Sequence, residues 1–572
     1  MWGKGTGTAS MKNFLAFLAL VAPVFSVSVR DEAPTIDLGD AGTYIGILQN
    51  NGTVESWKGI PYATPPIGDL RFSAPTPLES QLGVVTDVSD DALRCVQFGA
   101  ASNIVGVKAG PGQEDCLKLW IWKPVSAKEG DGLPVMFYIH GGGLQYSAAP
   151  NNDFSDWVGQ SQDFIAVNVG YRLGAFGFMA SEALEGEGQT ANAGLLDQRM
   201  GMEWVQKHIS KFGGDPEKIT IMGQSGGGFA IVSQLALYDG QGDLPFSQAI
   251  ARSIQRSAMF SVEQHKARND RLAEILGCDT IPQLQCFRDA SVETFVNATR
   301  TLDSLTDANG LSYGGFLPTI DGITLTDSIT NLWKDGKVAK IPFIGGYVSH
   351  ESGNFISRNA TFSANSIGGY NLSDASIQKV LSMYPVNVSW GEPYGNGAFQ
   401  SDEFRAAVLG NANLGEGGIT CSERLVSTSM CAHGNCDQTW AFRFAAPTVG
   451  TNYQNATFPL AYVVHSADNS YLQNATAVMT DFEKGVAAEW RAYIGSFIRT
   501  GNPNTEKLDT ARFWPTYHAL NEESPIHLVP AFAFSLEAEE ATTGTSVQIA
   551  GRPQVERCDW WLSDEVVAQL SV

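Results

Sequence analysis

The clearest candidate for a nucleophile in this 572-residue sequence is Ser225, in the segment GQSGG at residues 223–227. A short apolar run at 219–222 precedes the segment, and a mainly apolar stretch at 229–236 follows it. Glycines two positions before and two positions after the serine allow a strand to turn sharply into a helix, which exposes the serine hydroxyl at the turn. Such a segment also occurs by chance, so the prediction depends on the predicted strand and helix around it.

Three consecutive glycines provide a second part of the same candidate site. The segment HGGG at 140–143 follows the apolar run at 135–139. A serine that attacks a carbonyl group needs hydrogen-bond donors for the developing oxyanion, and backbone N–H groups in a glycine-rich turn are well suited to this. We therefore predict that the N–H groups of Gly142, Gly143 and Gly226 are these donors. The alternative is that the three glycines form only a flexible turn.

The elements that must position these residues indicate an α/β fold. The runs at 135–139 and 164–169 are almost entirely apolar, which is typical of strands buried on both faces of a parallel sheet. Apolar residues then recur at helical spacing over 195–209, and the segment FGGDP at 212–216 ends that pattern. The alternation predicts a large central, mostly parallel sheet covered by helices on both faces. No internal repeat or long linker interrupts residues 29–572, so we expect one domain there.

Beyond these motifs, the sequence resembles the type-B carboxylesterase/lipase family of α/β-hydrolases, which also contains the cholinesterases. The segment FGGDPEKITIMGQSGG at 212–227 matches the serine signature of that family, and EDCL at 114–117 matches its second signature. Further matches are GIPYA at 59–63, LRF at 70–72, YRLG at 171–174, NAGLLDQ at 192–198, FIRTGNPN at 497–504 and WP at 514–515. The resemblance covers nearly all of residues 29–572 and implies an α/β-hydrolase fold and ester hydrolysis without a cofactor.

The resemblance also implies a catalytic triad in the order serine, acid, histidine. Its members would be Ser225, Glu351 in GGYVSHES at 345–352, and His465 in YVVHSAD at 462–468. Ser225 would attack the ester carbonyl and form an acyl-enzyme, while His465 takes the serine proton and Glu351 orients the imidazole. His350 is an alternative base, but a direct neighbour of the acid in an extended loop should point to the opposite side.

The eight cysteines are typical of an oxidising compartment. The close pairs Cys95/Cys116 and Cys278/Cys286 would each link a local loop, whereas Cys421, Cys431, Cys436 and Cys558 allow three pairings. The family resemblance assigns the first two pairs as disulfides and suggests Cys421–Cys558, which leaves Cys431–Cys436. It also implies two structural ion pairs, Arg71 with Glu114 and Arg172 with Asp197. The sequence contains no Cys-x-x-Cys or His-x-x-x-His spacing, so we predict no metal site.

Several features predict a secreted, extracellular protein. Residues 1–28 contain Lys4 and Lys12, an apolar run at 14–25 and small residues after it, which is typical of a signal peptide. No later stretch is long and apolar enough for a membrane anchor, and the net charge of −23 disfavours nucleic acid as a partner. Oligomeric state stays open. Seven Asn-x-Ser/Thr segments are candidate glycosylation sites: Asn51, Asn297, Asn359, Asn371, Asn387, Asn455 and Asn474.

The expected substrate is a small-molecule or lipid ester. The segment between Cys95 and Cys116 is where family lipases carry an amphipathic lid, and here glycines at 99, 106, 110 and 112 interrupt any helix. This favours an esterase that acts on soluble esters over a lipase that acts on long-chain acylglycerols. Cholinesterase activity is disfavoured because the segment contains no Trp and Gln224 replaces the usual acidic neighbour of the serine. A further alternative is an inactive binding or adhesion homologue, against which the retained triad argues.

Overall fold

The central feature of the computed structural model is a sheet of eleven strands. The structure describes residues 33–90, 94–98, 112–189, 191–255, 259–278, 281–305, 315–349, 351–353, 355, 372–385, 415–446, 449, 463–473, 478–517, 526–529, 546–549 and 552–570. The chain divides into Met1–Ala33 and Pro34–Val572, and all elements below belong to the second unit. The predicted signal peptide at 1–28 lies outside the described residues and stays a prediction.

The strands carry the labels β1 to β16 in chain order. They are β1 Thr35–Asp37, β2 Thr43–Ile45, β3 Ile47–Gln49, β4 Val54–Pro61, β5 Val85–Asp87, β6 Lys118–Pro124, β7 Leu133–Ile139, β8 Ile165–Val169, β9 Gly214–Gln224, β10 Gln248–Arg252, β11 Phe260–Ser261, β12 Thr319–Ile320, β13 Phe343–Val348, β14 Thr439–Phe444, β15 Ile526–Val529 and β16 Ser546–Ile549.

The helices carry the labels α1 to α15. They are α1 Ser155–Ser161, α2 Gly174–Phe178, α3 Glu182–Gly186, α4 Ala193–His208, α5 Gly226–Ala236, α6 Lys266–Leu276, α7 Gln283–Asp289, α8 Val292–Asp303, α9 Ile329–Lys334, α10 Asp374–Met383, α11 Cys421–Ala432, α12 Asn469–Leu472, α13 Asp481–Thr500, α14 Arg552–Trp561 and α15 Asp564–Leu570. Within the described residues, no helix is long and apolar enough to cross a membrane.

The large sheet is parallel in its centre and antiparallel at its edges. Its strand order is β16-β15-β14-β13-β10-β9-β7-β8-β6-β4-β3. Every neighbouring pair from β15 to β8 is parallel, whereas the pairs β16/β15, β8/β6, β6/β4 and β4/β3 are antiparallel. The prediction of a large, mostly parallel sheet is therefore confirmed. Parallel strands place their carboxyl ends at one edge, which is where loops that carry functional side chains meet.

Two hydrophobic clusters cover the two faces of this sheet. Along β7, Val135, Phe137 and Ile139 face one cluster, whereas Met136 and Tyr138 face the other. This alternation follows from the period of two residues in a strand. The first cluster includes apolar residues of α4 and α5, and the second includes those of α1 and α13. Helices thus cover both faces, which explains why the central strands are almost entirely apolar.

The structure pairs all eight cysteines. The disulfides are Cys95–Cys116, Cys278–Cys286, Cys421–Cys558 and Cys431–Cys436, and each has a Cα–Cα distance of 5.7 Å or less. These are the pairings that the family resemblance implied. The two implied ion pairs are also present, with 2.7 Å between Arg71 Nε and Glu114 Oε1 and 2.7 Å between Arg172 Nη2 and Asp197 Oδ1.

Candidate active site

Ser225 lies in a sharp turn between β9 and α5. Its φ of 60° and ψ of −126° place a non-glycine residue in a strained conformation, and its N–H donates to Arg252 O at 3.0 Å. This sharp turn is possible only because the glycines on both sides of Ser225 have no side chain. A Cβ on Gly223 would lie 2.3 Å from Gly227 O, and a Cβ on Gly227 would lie 2.1 Å from Ile139 O. The strand, turn and helix that the sequence predicted around Ser225 are therefore present.

The glycine loop at 140–143 packs directly against this turn. A Cβ on Gly141 would lie 2.6 Å from Gln224 O, and a Cβ on Gly226 would lie 2.8 Å from Gly143 N. Gly142 and Gly143 have positive φ angles of 100° and 60°. Within the described residues, the N–H groups of Gly142, Gly143 and Gly226 donate no hydrogen bond to the protein. The loop that carries Gly142 and Gly143 thus packs against the turn that carries Ser225 and Gly226, and the role of the three N–H groups as oxyanion donors stays a prediction.

His140 stabilises the start of the glycine loop. The imidazole is buried, stacks on the Tyr171 ring at 4.5 Å between centroids, and its Nδ1 lies 2.9 Å from Gly141 O. Tyr171 Oη donates to His140 O at 2.8 Å. Burial lowers the pKa of His140 from 6.5 to about 4, against the weaker opposing effect of the hydrogen bond to Gly141. His140 is therefore neutral at pH 7 and acts as part of the loop's support.

Glu351 and His465 form a buried pair. The distance between Glu351 Oε2 and His465 Nδ1 is 2.5 Å, and the exposed fractions of the two residues are 4% and 7%. Glu351 Oε1 accepts the N–H of Val348 at 2.7 Å, at the end of β13. Because Nδ1–H donates to the carboxylate, a neutral imidazole carries its lone pair on Nε2. The structure therefore brings together the acid and the base that the family resemblance implied.

The imidazole of His465 contacts the neighbour of Ser225. Gln224 Nε2 lies 3.2 Å from His465 Nε2, and Gln224 Oε1 accepts from Ser466 Oγ at 3.0 Å. Within the described residues, no hydrogen bond joins Ser225 Oγ to His465. Catalytic hydrogen bonds are often long in unliganded enzymes and shorten in the substrate complex. In the sequence, Gln224 disfavours a cholinesterase but gives no indication of this contact.

A buried ion pair that sequence reasoning missed holds the loop of His465. Arg252 Nη1 lies 2.5 Å from Asp468 Oδ2, and both residues are fully buried. Arg252 ends β10 beside the Ser225 turn, and its Nη2 lies 3.4 Å from Tyr138 Oη. Burial raises the pKa of Tyr138 to about 12, so the phenol is neutral here. The sequence gives one sign of this pair, because Arg252 ends the segment QAIAR at 248–252, and a charged residue at the end of a buried strand needs a partner.

Most of the other sequence candidates lie outside the described residues. His350 lies outside the described residues. A further histidine, His265, is buried, with its Nε2 3.0 Å from Thr319 Oγ1 and its Nδ1 3.0 Å from Arg268 Nη1, and burial lowers its pKa to about 3. Asn51 and Asn297 are exposed. The remaining candidate glycosylation sites, Asn359, Asn371, Asn387, Asn455 and Asn474, lie outside the described residues.

The mostly parallel sheet with helices on both faces is that of an α/β-hydrolase, and the comparison with known sequences gives the family. A sequence model of the carboxylesterase family matches residues 35–531, so the chain belongs to that family. It is a carboxylic ester hydrolase, as the sequence predicted.

Similar proteins include both lipases and esterases. The chain is 33% identical over 536 residues to the secreted triacylglycerol lipase LIP1 of Gibberella zeae, with 87% of each chain covered. It is 33% identical over 425 residues to lipase 1 of Geotrichum candidum, which covers 66% of this chain and 74% of that protein. Among solved structures, EstA of Aspergillus niger aligns with a TM-score of 0.77 and 25% identity, over 94% of this chain and 99% of that chain.

Proposed function

We propose that the chain is a secreted serine carboxylesterase with Ser225 as the nucleophile, His465 as the general base and Glu351 as the orienting acid. The observation that supports this most directly is the buried 2.5 Å contact between Glu351 and His465, on a loop that also contacts the Ser225 turn. The pair leaves Nε2 of His465 facing Gln224, the residue directly before Ser225. A carboxylate that orients an imidazole in this way stabilises the imidazolium formed when the serine loses its proton.

The reaction uses backbone and side-chain groups only. Ser225 Oγ attacks the ester carbonyl while His465 Nε2 takes its proton, and the carbonyl oxygen becomes an oxyanion. The N–H groups of Gly142, Gly143 and Gly226 face that oxygen. The C–O bond to the alcohol then breaks, and His465 returns the proton to the leaving alkoxide. A water molecule, deprotonated by the same imidazole, hydrolyses the acyl-enzyme and releases the acid.

Secretion is part of the proposal. Three features are typical of the secretory pathway, where disulfides form and asparagines are glycosylated. They are the signal-peptide pattern at 1–28, the four disulfides, and the exposed Asn51 and Asn297. Similar proteins from Gibberella zeae and Botryotinia fuckeliana are named secreted lipases. Expression with residues 1–28 intact should therefore deliver the protein to the medium, shortened at its N-terminus.

The proposed substrate is a soluble ester. Support comes from the glycines that interrupt the segment between Cys95 and Cys116, of which residues 99–111 lie outside the described residues. The second candidate is a lipase, because several similar proteins carry that name. Hydrolysis of nitrophenyl esters from acetyl to palmitoyl, below and above the solubility limit, separates the two. A rate increase on emulsified long-chain esters would favour the lipase.

Labelling with an organophosphate fluoride tests the nucleophile. The reagent should form a bond between phosphorus and Ser225 Oγ with loss of fluoride, and Ser225→Ala should abolish both labelling and hydrolysis. The matched control is Ser247→Ala, at the opposite end of β10 from the site, which should still be labelled. An unlabelled wild-type protein would favour the inactive binding homologue instead.

A further inference from the structure

The side chain of Gln224 joins the strand that leads to Ser225 to the loop that carries His465. Gln224 ends β9 and is only 3% exposed. Its Nε2 lies 3.2 Å from His465 Nε2, while its Oε1 accepts from Ser466 Oγ at 3.0 Å and from Asn469 Nδ2 at 3.4 Å. Three residues of the segment 465–469 thus contact one side chain, and that side chain belongs to the residue directly before Ser225.

The contact between Gln224 and His465 involves the nitrogen that must act as the base. Since Nδ1–H donates to Glu351, the lone pair of neutral His465 is on Nε2, and the Gln224 amide N–H donates to it. Ser225 must later donate its proton to the same lone pair. Gln224 therefore sets the direction of the base in the resting enzyme and competes with Ser225 for it.

A glutamine at this position can also accept a hydrogen bond from the protonated imidazole. Imidazolium carries N–H at Nε2 and needs an acceptor, which the Gln224 amide provides as Oε1 after rotation by half a turn. Ser466 Oγ can accept as well as donate. The Oδ1 of Asn469 is buried and has no hydrogen-bond partner within the described residues, so it can accept the Gln224 amide after a matching rotation.

We propose that Gln224 is the positioning residue that aligns His465 with Ser225 through both protonation states of the imidazole. This inference rests on the proposed function, because it gives Gln224 a task only if His465 is the base. Gln224 acts through His465 and need not touch the substrate.

The charged groups near His465 are few within the described residues. Glu351 contacts Nδ1, and Asp468 on the same loop is paired with Arg252 of β10. Phe355 packs against the imidazole at 5.4 Å between ring centroids, and Ser466 and Asn469 are neutral. A carboxylate introduced at position 224 would therefore act on Nε2 directly, while the positive charge of Arg252, which lies in register with Gln224 on β10, is already paired with Asp468.

Two substitutions separate positioning from packing. Gln224→Met keeps the length of the side chain but removes its hydrogen bonds, and should lower kcat roughly 10- to 100-fold with KM nearly unchanged. Gln224→Glu keeps the acceptor for Ser466 and Asn469 and gives imidazolium an acceptor. It should restore most of kcat on the pH plateau and move the acid limb of the kcat/KM profile to higher pH, because the carboxylate stabilises imidazolium.

The matched control is Gln248→Met, since Gln248 is also buried and hydrogen-bonded but lies at the start of β10, where it contacts Thr220 Oγ1 and Ile498 O. It should lower the melting temperature without changing kcat or the pH profile. A Gln224→Met variant with wild-type kcat, or a Gln224→Glu variant with an unmoved acid limb, would overturn the proposal. If Gln224→Met does not fold, the pH profile of Gln224→Glu decides alone.

Failure of this proposal is distinguishable from failure of the proposed function. If wild-type protein hydrolyses esters and Ser225→Ala does not, the function holds, and only the Gln224 variants then decide the positioning role. If wild-type protein neither hydrolyses esters nor reacts with the organophosphate, the proposed function fails and the Gln224 proposal fails with it.

Discussion

The two halves of the candidate site are built by different means. The nucleophile side, Ser225 with the glycine loop 140–143, is positioned by backbone packed so closely that no Cβ fits at Gly227. The acid–base side, Glu351 with His465, is positioned by polar side chains such as Gln224 and the buried pair of Arg252 and Asp468. Close backbone packing permits one arrangement, whereas hydrogen-bonded side chains can rearrange. We infer that the nucleophile side is rigid and that the acid–base side adjusts during the reaction.

The largest expected effect concerns the acid–base side. Glu351→Gln replaces an oxygen that accepts from His465 Nδ1–H with an amide that can donate, which favours the wrong tautomer. The kcat should fall about ten-thousand-fold, by analogy with other triads, while the melting temperature changes little. Steady-state kinetics and thermal unfolding measure both. A loss of less than tenfold would mean that Glu351 does not orient the base.

The next effect tests the rigidity of the nucleophile side. Gly227→Ala would place a Cβ 2.1 Å from Ile139 O and should reduce the free energy of unfolding by about 3 kcal/mol or more. The matched control is Gly485→Ala in α13, where a Cβ has no neighbour within 4 Å. Helix propensity predicts that the control gains up to about 1 kcal/mol. Chemical denaturation compares the two, and equal effects would contradict the account.

A third effect tests the ion pair that holds the acid–base side. Asp468→Asn leaves Arg252 buried without its partner charge and should cost about 3 kcal/mol of stability. The double variant Arg252→Met/Asp468→Leu should regain most of this, because it removes both buried charges. Urea unfolding of the single and double variants measures the difference. A double variant no more stable than Asp468→Asn would show that the stability lost in Asp468→Asn does not come from the unpaired charge of Arg252.

The smallest effect concerns pH and returns to the nucleophile side. The pKa of His140 is about 4 in the folded protein against 6.5 ordinarily, so between these values the unfolded state binds the extra proton. The contribution of His140 to stability is therefore present above pH 6.5 and is lost as the pH falls towards 4. His140→Gln should remove this loss, and so reduce the slope of the free energy of unfolding against pH by up to about 1.4 kcal/mol per pH unit.

Urea unfolding at pH 7, 6 and 5 measures this slope. Tyr171→Phe is the control, because it removes the hydrogen bond to His140 O without adding or removing a group that titrates in this range. It should lower stability equally at each pH. An unchanged slope in His140→Gln would mean that the imidazole is not held neutral.

The same contrast explains what the sequence could predict. The nucleophile side has a local signature, because a strand, a glycine-flanked serine and a helix follow one another along the chain, as do β7 and the glycine loop. The burial of β7 on both faces and the position of α4 could also be predicted, since a continuous apolar run and apolar residues at helical spacing are local patterns. The contact between Glu351 and His465 joins residues 114 apart and has no local pattern, so only the family resemblance identified the two residues.

The supporting contacts could not be predicted at all. Gln224 contacts residues 241 to 245 positions away, and Arg252 pairs with a residue 216 positions away. A buried hydrogen bond depends on which side chains the folded chain places opposite each other, and single-residue propensity carries no information about that. The family resemblance identified the chemical groups of the site and not the side chains that hold them.

A crystal structure of the protein phosphorylated by the organophosphate fluoride would show whether Ser225 is the nucleophile and His465 its base. We predict phosphorus bonded to Ser225 Oγ, a phosphoryl oxygen about 2.7–3.1 Å from backbone N–H groups among Gly142, Gly143 and Gly226, and His465 Nε2 turned towards the adduct with Nδ1 still on Glu351. An adduct on another residue, or an imidazole that remains on Gln224 while a different base contacts the adduct, would contradict the account.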